Sequence, residues 1–160
     1  GVKYIIHSPF RDKSLRKQAA RKGKNILVYE AGESQRLRKN AVDEGVNGAL
    51  RVMKHLGMRR EAPEQVYPGI LISSSSWLRS KAGGLHYSFV RPGQKVEKGQ
   101  QIGIIAGPFG DFEKSVKSQY DGHIIAVNNN PVVNRGDALV HIGRETVGRS
   151  NFNRCSGRQS

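Results

Sequence analysis

The sequence holds one cysteine, one tryptophan, two methionines and six prolines in 160 residues. Cys155 has no partner in the chain, so no internal disulfide framework exists, and a lone thiol suits a reducing, cytoplasmic setting. No apolar run reaches the roughly 18 residues that a membrane-spanning helix needs, so no membrane partner is expected. No secretory leader is expected either: the chain opens Gly1-Val2-Lys3-Tyr4-Ile5-Ile6, already strand-like and without an initiator Met. The expectation from that opening is a fragment of a longer polypeptide. Acidic side chains are scarce too, 13 against 27 Lys and Arg, a formal net charge of +14.

So basic a chain suggests an anionic partner, nucleic acid first. The excess is regional. Residues 1–60 carry 15 basic and 5 acidic side chains, residues 61–140 carry 8 and 7, and residues 141–160 carry 4 and 1. The basic side chains that would form a nucleic-acid or ribosome-associated surface are Arg11, Lys13, Arg16, Lys17, Arg21, Lys22 and Lys24. Arg36, Arg38 and Lys39 extend the set, as does the tail with Arg144, Arg149, Arg154 and Arg158. Few aromatics interleave with these cations and no stacking platform is visible, so a solvated helix face competes with a binding surface.

Two β-rich runs, Val2–His7 and Asn25–Glu30, flank a helical stretch that starts after a Ser14 cap and stops at Gly23. Strand, helix and strand in about 28 residues match a right-handed βαβ crossover, and the apolar second run reads as a strand buried on both faces. A second helix is predicted from an Asn40 cap to Gly57, with Val42, Val46, Leu50, Met53 and Leu56 along one stripe and Asp43 in a capping-box-like position. Two strands and two helices do not close an α/β domain, so this unit needs more chain or a partner.

Pro63 to Pro68 reads as a linker, after which the pattern changes. Leu85, Tyr87 and Phe89 alternate with polar neighbours. Turn signals then recur at Arg91-Pro92-Gly93, Lys98-Gly99, Pro108-Phe109-Gly110, Asp121-Gly122 and Arg135-Gly136-Asp137. The expectation is a small β barrel or sandwich. The stretch Val90–Ile105 is echoed by Gly122–Val127 and Val133–Ile142, and these two halves resemble the biotinyl/lipoyl carrier fold. A carrier needs a Lys at a hairpin tip; Asp111 stands there instead, and Lys114 and Lys117 fall out of register. Carrier function is therefore not expected.

Taken in order, "SLRKQAARKGKNILVYEAGES", "VMKHLGM", "SSSSWLRSKAGGL", "VRPGQKVEKGQQIGIIAGPFGD" and "YDGHIIAVNNNPVVNRGDALVHIG" look like the C-terminal half of the succinylglutamate desuccinylase/aspartoacylase family. The resemblance runs from about Val2 to Gly143. It implies an α+β chain in parts. Residues 1–62 would be the end of a zinc-carboxypeptidase-like α/β domain, 63–143 a lipoyl-like β barrel or sandwich, and 144–160 a disordered basic tail. It implies a zinc-dependent hydrolase of N-acyl amide bonds, with a small N-acyl amino acid as substrate and Glu30 as general base and then acid. Glu33 would be a bystander. Asn130, in the Asn128–Pro131 loop, would contribute to substrate binding, in competition with a plain Asn-rich turn. Trp77 would pack into the joint between the parts.

The family's zinc ligands are a His-x-x-Glu pair and a later His, all ahead of the catalytic Glu. Here none of His7, His55, His86, His123 and His141 has a Glu three residues on, and His7 reads as a sheet-end residue. A catalytic zinc needs three protein ligands and an open position. No metal ligand is assigned, and the chain is expected to be inactive alone. A pure assembly role, with the β module mediating homo-oligomers, is the third reading.

Overall fold

The computed structural model describes residues 2–66 and 68–146. The tail from 147 onward, with Cys155, Arg149, Arg154 and Arg158, lies outside the described residues, so the tail expectation stays an expectation.

Helix α1, Leu15–Arg21, starts where the Ser14 side chain accepts a hydrogen bond from the Lys17 amide at 3.2 Å. It stops ahead of Gly23, whose φ is +66°. Helix α2, Lys39–His55, begins at an Arg38 cap that makes no side-chain hydrogen bond, two residues earlier than the expected Asn40 cap. Asp43 does not close a capping box; it pairs with Lys39 Nζ at 2.6 Å, one turn away. The C-terminus closes as expected on Gly57 (φ +72°), with Met58 N–H donating to Met53 O and Gly57 N–H to Lys54 O. The apolar stripe of α2 finds no cover among the described residues: Val42 and Val46 are each about half exposed, and no residue of the helix is buried.

The βαβ crossover is not formed. Strand β1, Tyr4–Ile6, pairs in parallel with β2, Ile70–Arg79, through Tyr4↔Ile70, Ile5↔Leu71 and Ile6↔Ile72. Asn25–Glu30 is irregular, and Leu27 is 84% exposed. The physical reason is that an apolar run becomes a strand only with a ladder partner and cover on its faces, and no neighbouring strand lies beside it here.

The remaining strands are β3 (Gly84–Ser88), β4 (Lys95–Val96), β5 (Gln101–Ala106), β6 (Glu113–Lys117), β7 (Gly122–Val127), β8 (Val132–Val133) and β9 (Ala138–Glu145). They form a five-stranded sheet, β1-β2-β9-β7-β4, and a four-stranded sheet, β6-β5-β3-β8. Both sheets stay open, so of the expected barrel or sandwich the closed barrel is not formed and two open sheets are; β1 and β4, β6 and β8 are their edges. The internal echo organises it. Val96, Ile102 and Ile105 recur at the same spacing as Val133, Leu139 and Ile142, and all six are at most 2% exposed. The halves exchange short strands, β4 pairing with β7 and β8 with β3. Fully burying one such Ile or Val side chain contributes about 1.5–3 kcal/mol, so this cluster fixes the module.

Candidate functional site

Glu30 ends the exposed run Asn25–Glu30, and its neighbour Tyr29 holds the run against α2. A Cβ on Gly45 would lie 2.7 Å from Tyr29 Cε1, so the ring occupies space that only a glycine leaves. The Tyr29 hydroxyl donates to Ala41 O at 2.8 Å, with Glu44 Oε2 at 3.1 Å. Burial first, then the hydrogen bond to Glu44, pushes this phenol above its ordinary pKa. The chain then turns at Gly32 (φ +84°) and reaches Glu33.

Glu33, read as a bystander to the chemistry, is tied into the structure on two sides. Its carboxylate accepts from Arg38 Nε at 2.7 Å and from Asn129 Nδ2 at 2.9 Å. The Arg38 hydrogen bond is the main reason its carboxyl is held below the usual carboxylate range. Segment 29–38 is thus tied to α2 by Tyr29 and to the β7–β8 loop by Glu33.

Glu30 itself is exposed. Its charge is felt at His141, whose imidazole is lowered by burial and partly restored by Glu30. His141 stacks on Trp77, its cross-strand partner, with ring centroids 4.8 Å apart and planes 9° from parallel. Trp77 remains 40% exposed on the β2–β9 pair.

Asn130 is exposed and used locally: its amide donates to Asn128 Oδ1 at 2.9 Å, and its own Oδ1 accepts from Val132 N–H at 3.2 Å. Both are turn-type bonds. Asn130 nevertheless lines an open cleft of about 400 Å³ that also includes Glu33, Arg38, His86, Arg91 and Val127. Sequence reasoning placed Arg38 among the binding cations and Asn129 in the polar loop without their shared partner Glu33, and it missed Gly45, whose signal was a glycine inside a helical pattern.

Several of the cations proposed for nucleic acid are engaged within the chain. Arg16 lies over Phe10 and reaches Ser8 and Pro9, Lys17 pairs with Asp12, and Arg38 and Lys39 hold carboxylates.

Zinc finds no set of ligands. Among the described residues no three His, Cys, Asp or Glu side chains come together as a metal would need. His123 is committed to Tyr4 Oη at 3.5 Å and Glu145 Oε2 at 3.3 Å, His141 to Trp77, and His7 is exposed just after β1. These donors do not fit a catalytic zinc. Among the described residues no helix is long and apolar enough to cross a membrane.

No protein-family model matches the chain, and no curated protein is significantly similar to it. Solved structures do match in fold. The ectoine utilization protein EutE (DoeB) from Ruegeria pomeroyi aligns with TM-score 0.78 and 16% identity over 89% of this chain and 47% of its own. A succinylglutamate desuccinylase from Silicibacter sp. TM1040 aligns with TM-score 0.76 and 18% identity over 90% and 46%. A succinylglutamate desuccinylase/aspartoacylase from Rhodobacter sphaeroides aligns with TM-score 0.63 and 21% identity over 69% and 37%. The chain spans less than half the length of each of these three structures. The fold of its described residues is the one that part of the succinylglutamate desuccinylase/aspartoacylase structures shares.

Proposed function

We propose that this chain forms the C-terminal part of an amide hydrolase acting on small N-acyl amino acids, with Glu30 as its general acid–base. The observation that carries the reading is the fold match over 90% of the chain to a desuccinylase structure. The tethering of the segment that presents Glu30, through Tyr29 and Glu33, supports it.

In this reading the oxygen of water attacks the acyl carbon and the carbon–nitrogen bond breaks, giving a carboxylic acid and an amine. Glu30 takes the proton from water and delivers it to the departing nitrogen. An exposed carboxylate at the end of a tethered segment can swing between those positions. Hydrolases of this type use zinc to activate the water, and the described residues do not hold it, so no step is routed through a metal here.

The test is turnover by the complete gene product on a panel of N-acetyl and N-succinyl amino acids, followed by amine release. Glu30→Gln is expected to lower kcat by about 10²–10⁴, the range of general acid–base catalysis, with circular dichroism and Tm unchanged. Release of amine by Glu30→Gln at the parent rate would remove Glu30 from the mechanism.

A further inference from the structure

The outer face of the four-stranded sheet is apolar where an outer face is ordinarily polar. His86, Ile105, Val116 and Val133 are buried against the other sheet's side of the module, so their strand neighbours point outward. On β6 the outward residues are Glu113, Ser115 and Lys117, as a solvated sheet face requires. On β8, β3 and β5 they are Val132, Leu85, Tyr87, Ile104 and Ala106, with Phe89 just past the end of β3. The register makes them neighbours: Leu85 stands between Val132 and Ala106, and Tyr87 stands beside Ile104. Tyr87 is 56% exposed, Phe89 55% and Val132 60%. A contiguous exposed apolar patch with a polar rim marks a contact surface.

The rim on β6 says what fits there. Three rows cross the sheet. Glu113 lines up with Ala106 and Leu85, Ser115 with Ile104 and Tyr87, and Lys117 with Gln101. Phe89 N–H donates to Ile102 O at 2.9 Å, which puts Phe89 in the third row. A two-fold axis across the strands, through the middle row, sets the rows of a second copy in reverse order. Tyr87 and Ile104 then meet their own counterparts, Leu85 meets the second copy's Phe89, and Glu113 meets the second copy's Lys117. Each charge gains the opposite one, and apolar groups meet apolar groups. A two-fold axis along the strands would set Glu113 against Val132 and pair no charge. The net charge of this region permits self-contact as well. Residues 61–140 carry 8 basic and 7 acidic side chains, whereas residues 1–60, with 15 and 5, would repel their own copy.

We infer that this face is a contact between two copies of the chain, packed sheet on sheet with aligned strands about a two-fold axis across β3, β5 and β6. The area sets its strength. An aromatic side chain can bury about 150–250 Å², and Tyr87 and Phe89 are half exposed, so with their neighbours each copy covers several hundred Å². A standard stable interface takes about 800 Å² per partner, so the dimer is a weak one, with a Kd of about 10–100 μM.

The test is sedimentation velocity on the chain from about 1 to 500 μM, in about 0.15 M salt. A monomer–dimer equilibrium in the stated range is expected. Tyr87→Ser should weaken it about tenfold or more, and Phe89→Ser does the same service if Tyr87→Ser does not fold. Glu113→Lys or Lys117→Glu alone sets like charges together and should weaken it several-fold; the two combined should return the Kd to within about twofold of the parent. Val46→Ser, on the exposed stripe of α2, should leave the Kd unchanged. No dimer up to about 500 μM overturns the contact, as does a dimer that both serine variants leave intact. Loss of the dimer in Val46→Ser would move the contact to α2 and overturn this face. A combined charge exchange as weak as the single ones would overturn the two-fold across the strands. A dimer of the chain that the complete gene product does not form would give the face to the rest of that polypeptide, and overturn the contact between copies.

Discussion

Asn129 donates a 2.9 Å hydrogen bond to Glu33 from 96 positions further along the chain. Through it the β7–β8 loop holds the segment that follows Glu30. The Arg38 guanidinium shares the same carboxylate at 2.7 Å and lowers its pKa.

A carboxyl depressed in the folded state contributes stability above its unfolded pKa and loses it as pH falls through the folded one. The link should therefore be intact at pH 7 and weaken on acidification, below the ordinary carboxylate range. Hydrogen exchange at residues 33–38 and 128–130 should speed up in acid beyond the intrinsic pH effect, and Glu33→Gln should abolish that pH dependence. An acid response that persists in Glu33→Gln would place its origin elsewhere.

Gly45 gives a sign test. A glycine in a helix interior costs about 1 kcal/mol relative to alanine, so Gly45→Ala on α2 alone would stabilise. Here the new Cβ would meet Tyr29 Cε1 at 2.7 Å and evict the ring. Gly45→Ala is expected to lower Tm. Adding Tyr29→Ala should recover stability, with an interaction energy of about 1 kcal/mol or more in the double-mutant cycle. Additive effects would show that the ring does not lie there.

The core predicts ordinary packing losses. Ile102, fully buried among the repeat-related residues, should cost about 2–5 kcal/mol on Ile102→Ala in urea unfolding. Gly103→Ala should also destabilise the module by about 1–3 kcal/mol, since its Cβ would lie 2.6 Å from Tyr87 O, a backbone atom that cannot step aside cheaply.

The sandwich was legible because its turns and its spacing are local signals. Gly99 and Gly136 mark equivalent turns with φ of +84° and +97°, and the buried triplets repeat in step. Strand β2 was not legible. Its Ser73–Ser76 run lacks strand propensity, and it is extended because β9 pairs along it, while β1 pairs only with Ile70–Ile72 ahead of it. Asn25–Glu30 fails in the opposite direction, strong in propensity and without a neighbour. The site divides in the same way. Glu30 came from a motif, whereas Asn129 matters through a contact made across the fold, 96 positions from its partner Glu33.

Zinc offers a direct check on the ligand count. The chain alone, dialysed against zinc and analysed by inductively coupled plasma mass spectrometry, should retain well under one equivalent, because its described histidines and carboxylates do not converge. One tightly held equivalent would show a ligand set that the geometry does not contain.

The most direct measurement of the central claim is amine release from N-acyl amino acids by the complete gene product, parent against Glu30→Gln. A fall in kcat of about 10²–10⁴ with zinc content and Tm unchanged is the expected result. Equal turnover by the two proteins, or none by the parent on any N-acyl amino acid, would contradict it.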